Sequence, residues 1–207
     1  MLMVKRGLFF VFEGIDGSGQ DTQAELLRQR LEEKGYKIWL TGEPTDGTIG
    51  KEIRQVLRHQ LPHPGAESLQ LLMMEDRVIH VGDIENHLNK GEIVISIRYF
   101  YSTLAYGVAD GLNYANLCWM NAGFPRPHIT IYLDVKPEVA MARIAARGEP
   151  YELFEKQIFL TEVSRNFIQL LGDFGEFRLV DGNGDIEFVR QQVWDMVNPY
   201  LETFPAK

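Results

Sequence analysis

Short apolar runs that alternate with segments of helical period predict an α/β fold, a five-stranded parallel sheet flanked by helices. Three observations carry this reading. Residues 8–12 form an unbroken apolar run between Gly7 and Gly14, as in a strand buried on both faces. The period then changes: Leu26, Leu27 and Leu31 fall on one helical face and most of the charges on the other. The same alternation continues to the end of the chain without an internal repeat, and repeated strand–helix–strand units build parallel sheets. The first helix is expected over 20–34, stopped by Gly35. A second strand follows at 37–41, a short helix at 49–57 and a long one at 66–89. The remaining strands are expected at 92–96, 129–134 and 177–180, and the remaining helices at 101–110, 137–147, 155–171 and 186–202. The proline- and glycine-rich stretches 60–65 and 123–128 read as loops within one domain, taken as 1–207.

Composition excludes several classes. With 207 residues and 45% hydrophobic content, the chain can bury a core without disulfides. The formal charge of −8 argues against a nucleic-acid-coating protein, so neither DNA nor RNA is expected as a partner. The single cysteine, Cys118, leaves no internal disulfide and no multi-cysteine zinc site, and suits a reducing compartment. No stretch reaches the roughly 18 apolar residues of a membrane span. Lys5 and Arg6 precede an apolar run as in a signal peptide, but Glu13 and Asp16 follow at once, so a buried strand is the reading and a cytoplasmic location is expected. His80 and His87 share a helical face but lie about two turns, roughly 10 Å, apart, which does not suit one metal. Cys118, beside Trp119 and Met120, is expected in the core, and no Ser/His/Asp order suggests a hydrolase.

The most informative segment lies between the first strand and the first helix, where residues 13–23 read Glu-Gly-Ile-Asp-Gly-Ser-Gly-Gln-Asp-Thr-Gln. Glycines here let backbone N–H groups turn toward a phosphate, and a helix N-terminus adds partial positive charge. Gly14, Ile15, Asp16, Gly17, Ser18, Gly19, Gln20, Asp21 and Thr22 are therefore the candidate nucleotide-binding residues. The phosphate-loop pattern G-x-x-x-x-G-K-[ST] is met at Gly14 and Gly19. Gln20 stands at the lysine position and Asp21 at the magnesium-binding hydroxyl position. Relative to the pattern the loop is two charge units more negative, and two unit charges about 4 Å apart interact by about 4 kcal/mol at an effective dielectric of about 20. On these residues alone an ordinary glycine-rich turn remains open.

The run from Phe12 to Gly19, followed by Thr22-Gln23, resembles the opening of the thymidylate kinase family. The resemblance continues through Thr41-Gly42-Glu43-Pro44, Ile53-Arg54, Asp76-Arg77, Arg98-Tyr99, Ser102, Leu104-Ala105-Tyr106, the 129–135 strand, Pro137-Glu138-Val139-Ala140 and Arg147-Gly148. It implies a P-loop NTPase-type nucleoside-monophosphate kinase fold that transfers a phosphoryl group from ATP to dTMP with Mg²⁺. By resemblance, Arg77 bonds the thymine base, Arg98 and Arg54 face the monophosphate, and Glu43 and Tyr106 surround the deoxyribose. Met73 stands where the family stacks an aromatic on the base, and Tyr99 adjoins Arg98. Gln20, Arg98 and Arg147 are the catalytic candidates, and Arg147 lies in a small lid near 143–156 that also carries Arg143. The resemblance further implies a homodimer, for which Leu69, Leu72, Met73, Val78 and Ile79 offer core or interface surface.

Departures cluster on the ATP side. Besides Gln20 and Asp21, Ile97 replaces the family's aspartate before Arg98, Gly42 replaces a frequent arginine, and Leu153 replaces a frequent basic residue. Asp21 is accordingly the candidate metal ligand, one carboxylate gained for one lost. Three functions follow: an active dTMP kinase, a nucleotide-binding protein that has lost transfer, and an interaction module that keeps only the fold.

Overall fold

The computed structural model describes residues 5–204; the parts of the sequence reading that touch 1–4 and 205–207 lie outside it. The elements run β1 (Phe9–Gly14), α1 (Gln20–Glu33), β2 (Ile38–Gly42), α2 (Thr48–Leu57), α3 (Ala66–Asn89) and β3 (Ile93–Ile97). There follow α4 (Phe100–Ala109), α5 (Tyr114–Asn121), β4 (Ile129–Asp134), α6 (Pro137–Ala146), α7 (Gln157–Asp173), β5 (Phe177–Asp181) and α8 (Ile186–Glu202). The strands form one parallel sheet in the order β2-β3-β1-β4-β5, with Phe10 paired to Ile95 on one side and Ile129 on the other.

Central position explains the sequence of β1: all six of its residues are buried. Alternate side chains enter different layers. Phe9 and Val11 pack with Leu69, Leu104 and Phe167, from α3, α4 and α7. Phe10 and Phe12 pack with Leu27 and Leu31 of α1 and with Val193 and Val197 of α8. Each such buried phenylalanine contributes roughly 1.5–3 kcal/mol relative to exposure. The strict apolar run that identified the strand is thus a consequence of helices on both faces.

One helix escaped the sequence reading. α5 occupies 114–121, where no element was expected. Asn113 caps it, its side chain accepting from the Asn116 N–H at 3.1 Å. In α5 Leu117 is buried and Cys118 packs against the core, whereas Trp119 is 81% exposed. The helix turns Trp119 to solvent because Leu117 and Asn121, one turn apart, face inward. Helix α3 divides its apolar residues similarly. Leu69 is buried and Leu72 and Met73 are half-buried, whereas Leu71, Val78 and Ile79 are exposed.

Candidate active site

The C-terminal ends of β1, β2 and β3 open into a cavity of about 570 Å³. Ligands collect at this end of parallel sheets, where helix N-termini and loops converge. Six of the thirteen arginines line it: Arg54, Arg58, Arg77, Arg98, Arg143 and Arg147. Four acids, Asp16, Asp21, Glu43 and Glu152, line it too, so the cavity is net cationic in a chain of charge −8.

The loop after β1 turns sharply from the strand into α1. Gly17 and Gly19 take left-handed φ values of 80° and 94°. At Gly17 a Cβ would also lie 2.6 Å from the Ala140 carbonyl oxygen, so only glycine fits against α6. Residues 16–22 line the cavity. Gly14 acts through its carbonyl, and the Ile15 side chain is buried in the core, leaving only its backbone to the loop. Gln20 is buried, and its amide donates to the Gly14 carbonyl at 3.0 Å. Arg143 donates to the carbonyls of Ser18 at 3.2 Å and Gly182 at 3.0 Å, tying α6 to the loop. Asp21 and Thr22 are exposed on the first turn of α1. Among the described residues, no group of three or more His, Cys, Asp or Glu gathers as a metal cluster. A magnesium ion needs only one or two carboxylates when phosphates supply the rest, and Asp21 fits that sparse role.

Arg98 follows β3 in a left-handed conformation, φ 67°. For a non-glycine residue this costs of order 1–3 kcal/mol, and such strain concentrates at functional sites. The backbone is held there by the Arg98 N–H donating to Phe12 O at 2.8 Å and by Ser96 Oγ donating to Arg98 O at 2.8 Å. The guanidinium reaches Asp16 Oδ1 at 2.6 Å and Ser102 Oγ at 3.1 Å. Tyr106 donates its hydroxyl to Asp16 Oδ2 at 3.0 Å, and burial pushes its ionisation upward. Beneath this group Glu13 accepts from the Tyr99 N–H at 2.8 Å and from Ser102 Oγ at 2.6 Å.

Burial pushes the Glu13 carboxyl up to about 7, against the opposing pull of the Ser102 hydroxyl, Arg98 and the Tyr99 N–H. An unfolded glutamate titrates near 4.3. The folded state therefore holds this proton more tightly than the unfolded state, and stability falls as pH rises through that interval up to about 7. Glu13→Gln removes the titration. The stability of the wild type relative to this variant is expected to drop by on the order of 3 kcal/mol between about pH 4.5 and about pH 7.5, then stay level. Urea denaturation across that range checks it; a difference that does not vary with pH means that Glu13 stays ionised.

At the other end of the cavity, Arg77 is 2% exposed. Its Nε donates to Glu43 Oε2 at 2.8 Å, Nη1 to Asn121 Oδ1 at 2.7 Å and Nη2 to Thr103 Oγ1 at 3.1 Å. Glu43 was expected beside the sugar. It lines the cavity, and both of its oxygens are engaged: Oε2 accepts from Arg77 and Oε1 meets His80 Nδ1 at 2.9 Å, so it supports Arg77. His80 is thus a satisfied buried histidine, with Thr41 Oγ1 at 2.8 Å from its other ring nitrogen. Met73, Tyr99 and Thr103 complete this wall. Arg54, half-buried, donates to the Thr45 carbonyl at 2.6 Å, and Asp76 accepts from the Thr45 N–H at 2.7 Å, which fixes the loop before α2.

The expected lid corresponds to the end of α6 and the irregular segment before α7. Leu153 N–H donates to Leu57 O at 2.8 Å, and Arg58 meets Glu152 at 3.3 Å, so the segment docks on α2 across the cavity mouth. Phe154 lines the cavity and packs on Tyr106 at 5.5 Å between ring centroids. Arg147 pairs with the buried carboxylate of Glu155, which holds its guanidinium at the rim. Sequence reasoning missed Glu13, Gln70, Thr103 and Asn121. Glu13 stood inside the quoted loop as an acid ending an apolar strand, the one signal of the four available without the fold.

Comparison with known proteins follows this geometry. Residues 12–193 match the family model described as thymidylate kinase. A probable thymidylate kinase of Pyrococcus horikoshii is 40% identical over 202 residues, covering 95% of this chain and 98% of that one. A thymidylate kinase of Carboxydothermus hydrogenoformans is 39% identical over 184 residues, covering 86% and 90%. The solved structure of the Candida albicans thymidylate kinase superposes with a TM-score of 0.80 at 27% identity, covering 95% of this chain and 93% of that one.

Proposed function

This chain belongs to the thymidylate kinase family, and on that premise we propose that it binds dTMP in the cavity and passes to it the terminal phosphoryl group of ATP, with a slow transfer step. The observation that carries the reading is the collection of six arginines around one cavity at the strand ends, beside the glycine-rich loop that turns from β1 into α1. ATP with Mg²⁺ supplies the phosphoryl group and much of the charge neutralisation when bound. The chain's own part is positioning. Arg98, locked by Asp16 and Ser102, offers a planar fork to the monophosphate. Arg54 lies on the same wall, and Met73 and Tyr99 give the base an apolar face. Residues 152–154, docked on α2, limit water entry. Asp21 is the residue that would hold magnesium, its charge favoured by the N-terminus of α1.

Slow transfer follows from Gln20. A neutral amide bonded to Gly14 O brings no positive charge to the phosphates, and Arg143 is spent on loop carbonyls. The same observation favours a second reading, in which dTMP is held and not phosphorylated. The single cysteine suits a reducing compartment and so supports a cytoplasmic enzyme. The exposed stripe of Leu71, Val78 and Ile79 on α3 supports a homodimer.

Calorimetry with dTMP and with ATP plus Mg²⁺, titrated separately, tests the reading together with an assay for dTDP. Submillimolar dTMP binding, weaker ATP binding and measurable dTDP formation are expected. dTMP binding without dTDP selects the second reading. Failure of dTMP to bind at millimolar concentration overturns both.

A further inference from the structure

We infer that Glu13 is a positioning residue for Arg98: as a phosphate dianion docks on that arginine, Glu13 takes up a proton and turns the Ser102 hydroxyl from itself toward the ligand. The inference rests on the dTMP reading of the cavity. Glu13 lies in the buried run of β1 and is itself fully buried. It reaches the cavity through Tyr99 and Ser102, which line it. Its Oε1 accepts from the Tyr99 N–H at 2.8 Å and the Ser102 N–H at 3.2 Å, and its Oε2 from Ser102 Oγ at 2.6 Å. One carboxyl group thus caps the first turn of α4 and fixes the residue that follows the left-handed Arg98. Ser102 passes the hold onward, since its Oγ accepts from Arg98 Nη1 at 3.1 Å while donating to Glu13.

The charges around Glu13 are shared. Arg98 is the cation that draws on it, and Asp16 holds the same guanidinium at 2.6 Å. From the end of β2 Glu43 adds a second negative charge, offset by Arg77 at 2.7 Å. On β4 the register partner of Glu13 is Tyr132, and on α4 Tyr106 meets Asp16; burial keeps both phenols neutral. A phosphate dianion on Arg98 takes the counter-charge of Glu13, and a carboxylate with neither water nor counter-charge neutralises. The free carboxyl, pushed up to about 7, is close to that change at neutral pH. The hydrogen bonds allow it. Two N–H groups hold Oε1 as an acceptor, whereas Oε2 faces a hydroxyl, which can accept as well as donate. The proton comes from water and lands on Oε2. Oε2–H then donates to Ser102 Oγ, and the hydrogen of Ser102 turns into the cavity toward a phosphate oxygen.

The test titrates dTMP into the full chain by calorimetry in buffers of different ionisation enthalpy, which counts the protons taken up. It compares the wild type, Glu13→Gln and Ser102→Ala; the second variant keeps β1 intact should glutamine unsettle it. Glutamine stands for the neutral form, its amide donating to Ser102 Oγ. In Ser102→Ala the carboxyl loses the hydroxyl that favours its ionised form, so it is protonated before the ligand arrives. At about pH 7.5 the wild type is expected to take up about half a proton more per dTMP than either variant. That is the amount given when a carboxyl at about 7 holds its proton about tenfold more tightly in the complex. Subtracting the variants removes the proton exchanged by the phosphate itself. Because the complex holds the proton more tightly, affinity is full at low pH and is lost as pH rises. Between about pH 6 and about pH 9 wild-type affinity is expected to fall about tenfold relative to Glu13→Gln. A Glu13 that only braces the fold moves neither quantity. Equal proton counts in the wild type and both variants, or an affinity ratio that stays level with pH, overturn the inference and leave the dTMP reading standing. A wild type that does not bind dTMP overturns both.

Discussion

Arg77→Met is expected to destabilise the protein by roughly 3–5 kcal/mol and to abolish dTMP binding, the largest stability effect of any single change in the cavity. The reason is the carboxylate left behind. Arg77 and Glu43 expose 2% and 4% of their side chains and lie 2.7 Å apart, so neither ion is hydrated when its partner is lost. Asn121 and Thr103 would lose their donor as well, and both are buried. Adding Glu43→Gln should recover part of the stability, since it removes the uncompensated charge while its amide still pairs with His80. On the proposed placement of the base against Arg77, it should not recover dTMP binding. Denaturation of the two single variants and the double variant, with dTMP titrations on each that folds, separates the two roles. Additive stability losses would mean that Glu43 and Arg77 are not coupled, and the pair would then be hydrated in solution.

This pair also shows where sequence reasoning reached and where it stopped. Taken one at a time, an arginine is expected at the surface, and composition offers no reason to bury Arg77. Only the family resemblance pointed to it. The fold was legible because its signals are local: the apolar run of β1, the one-sided leucines of α1 and the glycine that stops it. Helix α5 was not legible for the same reason. No element was assigned to its segment, and eight residues give too few turns to show a period. The cost of missing it reached the site, because α5 delivers Asn121 to Arg77. Glu43 was placed beside the sugar by the resemblance alone, and nothing local signals that two buried groups 34 and 37 residues along the chain, Arg77 and His80, bond its carboxylate.

The donor side yields the largest expected effect on rate. Gln20→Lys is expected to raise turnover by about 10²–10³-fold, the range associated with restoring one charged or oxyanion-type contact in a closed site. The structure supports this expectation because the existing side chain already runs along the inside of the loop to Gly14 O, so a lysine of similar length needs no new path. Asp21 and Ile97 line the same cavity from α1 and the end of β3. If Asp21 has taken over magnesium from the lost strand-end acid, Asp21→Thr alone should abolish magnesium-dependent nucleotide binding. Adding Ile97→Asp should restore part of it, since Ile97 sits between Phe12 and Gly42 at the sheet's ligand end. If Asp21 is only a repulsive charge, Asp21→Thr should instead tighten ATP binding, by up to the roughly 4 kcal/mol of two unit charges about 4 Å apart at an effective dielectric of about 20. Titration of ATP with and without Mg²⁺ against the two variants decides between these signs. Turnover in the wild type equal to that of Gln20→Lys would show that the arginines of the cavity already supply the charge that the loop lacks.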